Sequence, residues 1–359
     1  MAPAGARPVL AKHLTPHQTP TGLDGGYFMD GYHMERDQLP FPEVLQKVFD
    51  DERVPIHLLY RLSDLTADDF DLFNQQWAAA SPGRRQLLAR HMADITEENF
   101  VVDFSPMFQM MLTDSQVEVR SAALDGLWDC AHTRLVVPII QVMQQDAAAS
   151  VRTLAAATLG HIVLMAEWGQ MDARYAAQAV EALLQQYENP LEEMAVRRAA
   201  LESLGASGDS RVPALLENAY YAGDDLTQIS ALFAMGRSAD SRWLAIVLEE
   251  MDNPYTEIRL EAARAAGNIG DSDAVERLIE LLDDEDLEVR LAVVYSLGQI
   301  GSETAFEALT HLLEGDHEEE LIEAVEAALE ETDWLQGEFD FSMMQWDEED
   351  GFDEDEAGI

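Results

Sequence analysis

Apolar residues return along this chain at helical spacing, and at a longer spacing the whole helix returns. In Asp271–Leu282 the residues Val275, Leu278, Ile279 and Leu282 share one face, the i, i+3, i+4, i+7 pattern of an amphipathic helix. A polar turn, Asp283–Asp286, separates it from a second periodic stretch, Leu287–Ile300. This second stretch carries a mark: a branched apolar residue then Arg, a small residue three after the Arg, and Gly eight after it. Val196-Arg197, Ile258-Arg259 and Val289-Arg290 open such copies, and Thr227-Gln228 with Gly236 fills the gap. Arg259 and Arg290 are 31 positions apart and Arg197 and Arg259 are 62, so the stride is constant. A fixed period of this size predicts an array of stacked helix pairs.

Earlier copies stand at Val119-Arg120, where Trp128 replaces the Gly, and at Val151-Arg152 with Gly160. The step from Arg152 to Arg197 is 45 positions, which predicts a longer second helix and a longer loop. A degraded last copy, Leu321–Leu329, keeps the stride of 31 without an Arg. Gly208, Gly270 and Gly301 are predicted to stop second helices, and Ser81-Pro82 to open a helix. Residues 40–113 lack the mark and read as an N-terminal helical cap, the repeat array as 114–333. Residues 1–39, rich in Pro, Gly and Thr, read as a disordered or loosely docked arm, and 334–359 as an acidic, aromatic, disordered tail.

These Val/Ile-Arg and Leu-Gly pairs resemble HEAT repeats, in the short form of the phycobilisome-lyase-like HEAT proteins of bacteria. The resemblance covers roughly 114–330. It implies an all-α fold, a right-handed α-solenoid of antiparallel helix pairs, with second helices lining the concave face. Its motif is structural, so it carries a fold and not a target.

On a wheel of about 100° per residue, with the Arg as zero, positions −1, +3, +7 and +10 form the core arc, and +1 and +5 lie opposite. The Arg stands at the arc's edge. With carboxylates about six residues earlier, the arginines Arg120, Arg152, Arg197, Arg259 and Arg290 are expected to form a ladder with Asp114, Asp146, Asp252 and Asp284. The Gly at +8 lies off the core arc; the sequence admits either close helix approach or a bend there. The open positions, Arg198, Glu202, Ile229, Phe233, Leu260, Arg264, Leu291 and Tyr295, form a candidate partner-binding groove of aromatic, apolar and Arg residues. Packing of Phe233 and Tyr295 across neighbouring helices is the alternative. In the tail, Phe339, Phe341, Trp346 and Phe352 among carboxylates make a second candidate binding element.

Charge narrows the partners. With 22 Lys+Arg against 69 Asp+Glu the formal charge is −47, and Lys12 and Lys47 are the only lysines. Such a surface repels nucleic-acid backbones and anionic membranes, and favours a protein partner with a basic or apolar docking surface. Salt adaptation would account for the same acidity. Cys130 is the lone cysteine, which leaves no disulfide framework, and it reads as a small core residue in an apolar helical stretch. With no signal-like N-terminus and no long apolar run, the reading is cytoplasmic; oligomeric state is left open.

Chemistry finds little purchase. Deoxyhypusine hydroxylases, also HEAT proteins, hold irons through several His-Glu pairs; here His317-Glu318 is the only such dipeptide. His13 and His17 have Pro16 and Pro20 beside them, against a helical metal pair. No phosphate-cradling Gly loop, HExxH or nucleophile elbow occurs. The expectation is a non-catalytic protein-binding scaffold without cofactor. A lyase-like or hydroxylase-like member of the HEAT group is the alternative.

Overall fold

The computed structural model describes residues 39–330 apart from 100, 131 and 316, and these residues contain helices, turns and no strand. The chain divides into two compact units, Met1–Val212 and Pro213–Ile359. The first contains α1 (Phe41–Asp50), α2 (Ile56–Leu59), α3 (Ala67–Ala79), α4 (Pro82–Glu98), α5 (Ser105–Met111), α6 (Val117–Gly126), α7 (Val136–Gln145), α8 (Ala149–Glu167), α9 (Ala173–Glu188) and α10 (Met194–Leu204). After α11 (Val212–Ala222), which begins at the boundary, the second holds α12 (Asp225–Arg237), α13 (Leu244–Glu250), α14 (Thr256–Ile269), α15 (Val275–Glu280), α16 (Leu287–Ile300) and α17 (Glu303–Leu312). A last helix, α18, covers 319–330. The fold is all-α, built of helix pairs whose second members stack on one another within each unit.

Local chemistry sets the helix ends. The Ser81 and Ser302 hydroxyls accept from the N–H groups of Arg84 and Ala305, each satisfying an orphan donor of a first turn. Gly270 and Gly301 close α14 and α16 with φ of 72° and 61°, the left-handed region where a Cβ is costly. At the corresponding place after α12 stands Ala239, with φ 49°. Gly208 does not serve as a helix stop, because α10 has already ended at Leu204. Helix α8 is long and apolar enough to cross a membrane by length and composition, contrary to the expectation that no stretch qualifies. In this structure 56% of that stretch is buried within the unit.

The +8 glycines permit close approach. A Cβ on Gly267 would lie 2.7 Å from the Cβ of Ser296, and one on Gly160 would lie 2.6 Å from that of Ser203. Each serine hydroxyl also donates to a carbonyl of the helix it touches, Ser203 to Ala156 (2.9 Å) and Ser296 to Ala263 (2.8 Å). Gly236 meets Ala265 in the same way. Gly298 faces Ala328, and Leu321, fully buried, occupies the station of Val289. The last stride is therefore 32, and Ile322, not Leu321, stands in the place of the Arg.

The edge-of-core arginines bind consecutive pairs together. Arg120 donates through Nε and Nη2 to Asp146 (2.6 and 2.8 Å), and through Nη1 to the Asp114 carbonyl (2.9 Å). In the second unit Arg259 does the same with Asp284 (2.6 and 3.0 Å) and the Asn253 carbonyl (3.0 Å). Each Asp also accepts a backbone N–H two residues on, from Ala148 and Asp286, so it fixes its own turn while holding the previous helix. Arg152 reaches Glu192, and Arg290 reaches Glu318 as well as the Asp284 carbonyl. Burial raises the pKa of Asp146 and Asp284, but the arginine and backbone hydrogen bonds outweigh it, and both lie below the ordinary value.

Two members of the expected ladder stand elsewhere. Asp252 is exposed and pairs with Arg277; the station belongs to the buried Glu250, which accepts from Gln228 (3.0 Å), Asn253 (2.5 Å) and the Tyr220 hydroxyl. Gln228 cannot neutralise a carboxylate, so three neutral donors take the place of one guanidinium. Arg197 donates to the Tyr187 carbonyl (2.7 Å) and lies over the Tyr187 ring. The ladder also begins earlier than expected: Arg85 on α4 lies 2.9 Å from Asp114. Helix α4 is thus a second helix of the same kind, inside the region expected to be a plain cap.

Candidate functional site

Contacts between second helices show which face is left open. The Gly at +8 points to one neighbour and the residue at +6 to the other, with the core between them on one side. The remaining arc holds −2, filled in the second unit by exposed Leu226, Glu257 and Glu288, and the strip stations +1, +5 and +9. In the second unit these are Ile229, Phe233 and Arg237 on α12, Leu260, Arg264 and Asn268 on α14, and Leu291, Tyr295 and Gln299 on α16.

Within this strip, Ile229, Leu260 and Leu291 are half-buried. Tyr295 is 38% exposed, with its hydroxyl accepting from the Gln299 amide (3.1 Å). Arg264 lies 3.8 Å from the carboxylate of Glu261, a distance at the limit of an ion pair, and its side chain is 36% exposed. Phe233 is a correction: it is only 3% exposed and belongs to the core, because the wheel fixes direction and not depth. The alternative of packing is the one that holds for Phe233, while Tyr295 reaches solvent. None of the nine positions is acidic, although the chain carries 69 carboxylates. Exposed Glu257 and Glu288 lie on the same face at −2, and Glu261, at +2, is buried at 3% beside Arg264.

The first unit spends the same stations differently. At +5, Asp125 pairs with Arg90 (3.0 Å), and Glu202 is buried at 5%, which corrects its expected place on an exposed rim. At +9, Asp129 pairs with His161 (3.1 Å), whose ring packs on Trp128 at 5.0 Å. Arg198 is half-buried on α10, in the first unit. The tail residues Phe339, Phe341, Trp346 and Phe352, and His13 and His17, lie outside the described residues.

The first unit also holds a cleft of about 530 Å³ lined by Thr66, Phe70, Asp103, Met107 and Arg134 among others. Beside it the buried Ser105 hydroxyl donates to Asp103 (2.5 Å) and accepts from Arg134 (2.7 Å). That hydroxyl has a carboxylate and no imidazole as its acceptor, and a guanidinium occupies its lone pair, which opposes nucleophilic attack. Cys130 lies in the turn after α6, not on a helix, and is half-buried. Burial pushes its thiol pKa up, against the lowering by hydrogen bonds from His132 and Ser105, so it is held as a thiol. Among the described residues no group of three or more His, Cys, Asp or Glu is placed to hold a metal ion. Glu318 of the sole His-Glu dipeptide is engaged by Arg290.

Comparison with known proteins agrees on the repeat type. The model of HEAT repeats matches residues 243–330, and that of the PBS lyase HEAT-like repeat matches 196–220. The chain therefore contains HEAT repeats, including the short lyase-like form. No curated protein matches it. Among solved structures, the complex of CpcE and CpcF of phycocyanin lyase from Nostoc sp. PCC7120 is similar at 20% identity and a TM-score of 0.43, over 64% of this chain and 95% of that one. Human deoxyhypusine hydroxylase in complex with glycerol is similar at 19% identity and 0.29, over 67% and 98%. Kap121p bound to Nup53p is similar at 14% identity and 0.45, over 81% of this chain and 37% of that one. Likeness at this level transfers neither partner nor chemistry.

Proposed function

We propose that this HEAT-repeat chain is a non-catalytic scaffold that binds another protein through the open strip of α12, α14 and α16. The observation that carries the reading is the strip itself: half-buried Ile229, Leu260, Leu291 and Arg264 beside exposed Tyr295, with none of the nine stations acidic. Tyr and Arg over an apolar floor are the side chains that anchor protein interfaces. The strip is apolar and aromatic, with Arg264 in it and exposed Glu257 and Glu288 on the same face, so its occupant is an apolar protein element.

The test is affinity capture from the native cell with the full chain and with Arg264→Glu/Tyr295→Ala. Capture that depends on the strip disappears in the variant while the helical circular dichroism is unchanged. Equal capture by both proteins would refute the assignment of this face.

A further inference from the structure

We infer that the turns joining first to second helices in the second unit form a further docking surface, which takes a basic, Arg- or Lys-rich segment of a partner protein. These turns, 221–226, 249–257 and 283–288, lie at one end of the helices, where α11, α13 and α15 finish and α12, α14 and α16 begin. They expose Tyr221 (69%), Tyr255 (60%) and Leu226, large side chains that folding of the unit leaves in water. The two tyrosines are held by one network. The Tyr221 ring packs edge-on against Tyr220, with 4.8 Å between centroids. The Tyr220 hydroxyl and the Asn253 amide (2.5 Å) both donate to Glu250, and the Asn253 side-chain carbonyl accepts from the Tyr255 N–H (2.9 Å). The rung without an arginine thus links both tyrosines to one carboxylate.

Charge names the occupant. The three turns hold eleven Asp or Glu and no Lys, Arg or His. The turns at the opposite end of the same helices, 237–243, 268–274 and 299–305, hold four Asp or Glu and two Arg. Chain-wide acidity therefore does not account for the concentration at the first end. The arginines that reach these turns are engaged within the unit: Arg259 by Asp284, Arg277 by Asp252 and Glu280, and Arg290 by Glu318. Asp225, Glu249, Glu257, Asp283, Glu285 and Glu288 stay exposed. Helix ends explain part of this, since acids in the first turns of α12, α14 and α16 suit the helix dipole. They do not explain Glu249, in the last turn of α13, or Asp283, in the 3-10 turn that prolongs α15, where the dipole disfavours a negative charge. A tyrosine face attracts a guanidinium or ammonium, and carboxylates beside it add charge-assisted hydrogen bonds. The same surface repels a nucleic acid or an acidic peptide. It meets the open strip at Leu226, Glu257 and Glu288 but does not depend on it.

The probe is fluorescein-labelled nona-arginine, its binding to the full chain followed by fluorescence anisotropy at about 150 mM salt, where attraction beyond roughly 8 Å is screened. Tyr221→Ala/Tyr255→Ala leaves the net charge at −47 and is expected to weaken binding about tenfold. Tyr221→Phe/Tyr255→Phe keeps the parental affinity, because the rings remain. Asp225→Asn/Glu285→Gln is expected to weaken binding more than Glu43→Gln/Asp71→Asn, a pair of exposed carboxylates in the first unit whose removal changes the net charge equally. Thermal unfolding unchanged from the parent shows that the losses are not unfolding; if the Ala pair unfolds, the two charge pairs carry the test alone. No binding by the parent, equal binding by the parent and a folded Ala pair, or equal losses from the two charge pairs would each overturn the proposal, since bulk charge alone predicts no dependence on the rings or on where the carboxylates stand.

Discussion

Asp125 on α6 and Tyr295 on α16 hold the same station, five residues past the ladder arginine, in two units with the same internal bracing. Arg120–Asp146 and Arg259–Asp284 share an Nε–Oδ2 distance of 2.6 Å and side-chain exposures of 11% and 6%. The open faces differ. In the first unit the stations close on themselves through Arg90–Asp125 and Asp129–His161. In the second they present Leu260, Arg264, Leu291 and Tyr295. The difference separates two jobs within one repeat: bracing repeats where stacking demands it, and the free stations vary because stacking does not constrain them.

Removing a brace has the largest expected effect, and the same effect in both units. Asp146→Ala and Asp284→Ala each leave a nearly buried guanidinium without its carboxylate, at about 3–5 kcal/mol. Urea unfolding would measure it; a much smaller loss in one unit would show that the two braces are not equivalent. Filling a helix contact comes next. Gly160→Ala and Gly267→Ala force a Cβ to within 2.6 and 2.7 Å of the Cβ of Ser203 and Ser296, costing about 1–3 kcal/mol. Gly83→Ala, with nothing within 4 Å, is the control and leaves stability unchanged or improved.

The braces also set the acid limb. Asp146 and Asp284 titrate below their unfolded values, so their contribution is complete above the ordinary carboxylate range and is lost as pH falls through their lowered folded values. Asp284→Asn is expected to reduce the dependence of unfolding free energy on pH across that window, with Asp146→Asn doing the same in the first unit. An acid limb identical to the parent's would contradict the assignment. The smallest effect is local to the second unit. Ala239→Gly relieves a left-handed residue and stabilises by about 0.5–1 kcal/mol, since Gly270 and Gly301 occupy this place in the next two repeats.

Much of the scaffold was legible in sequence because the ladder arginine, the small +3 residue and the +8 glycine are each demanded by a contact made in repeat after repeat. What escaped was set by depth or by substitution of one donor for another. Arg85 hid because Arg84, not a branched apolar residue, precedes it. Glu192 and Glu250 hid because a longer carboxylate reaches the rung from a different sequence distance than Asp114 or Asp284. The one-residue slip at α18 was invisible without an Arg to mark it. In the strip, periodicity gave the direction of Phe233 and Glu202 but not their burial. That +1, +5 and +9 carry no acidic residue on three successive helices was readable in sequence, from Arg237, Asn268 and Gln299, had +9 been considered with +1 and +5.

The most direct test of the division between bracing and binding is affinity capture with full chains altered on one open face at a time. Arg264→Glu/Tyr295→Ala in the second unit is expected to lose the captured partner, and Asp125→Ala/Asp129→Ala in the first unit to retain it, both with parental unfolding transitions. Retention by the second-unit variant, or loss by the first-unit variant, would contradict the account.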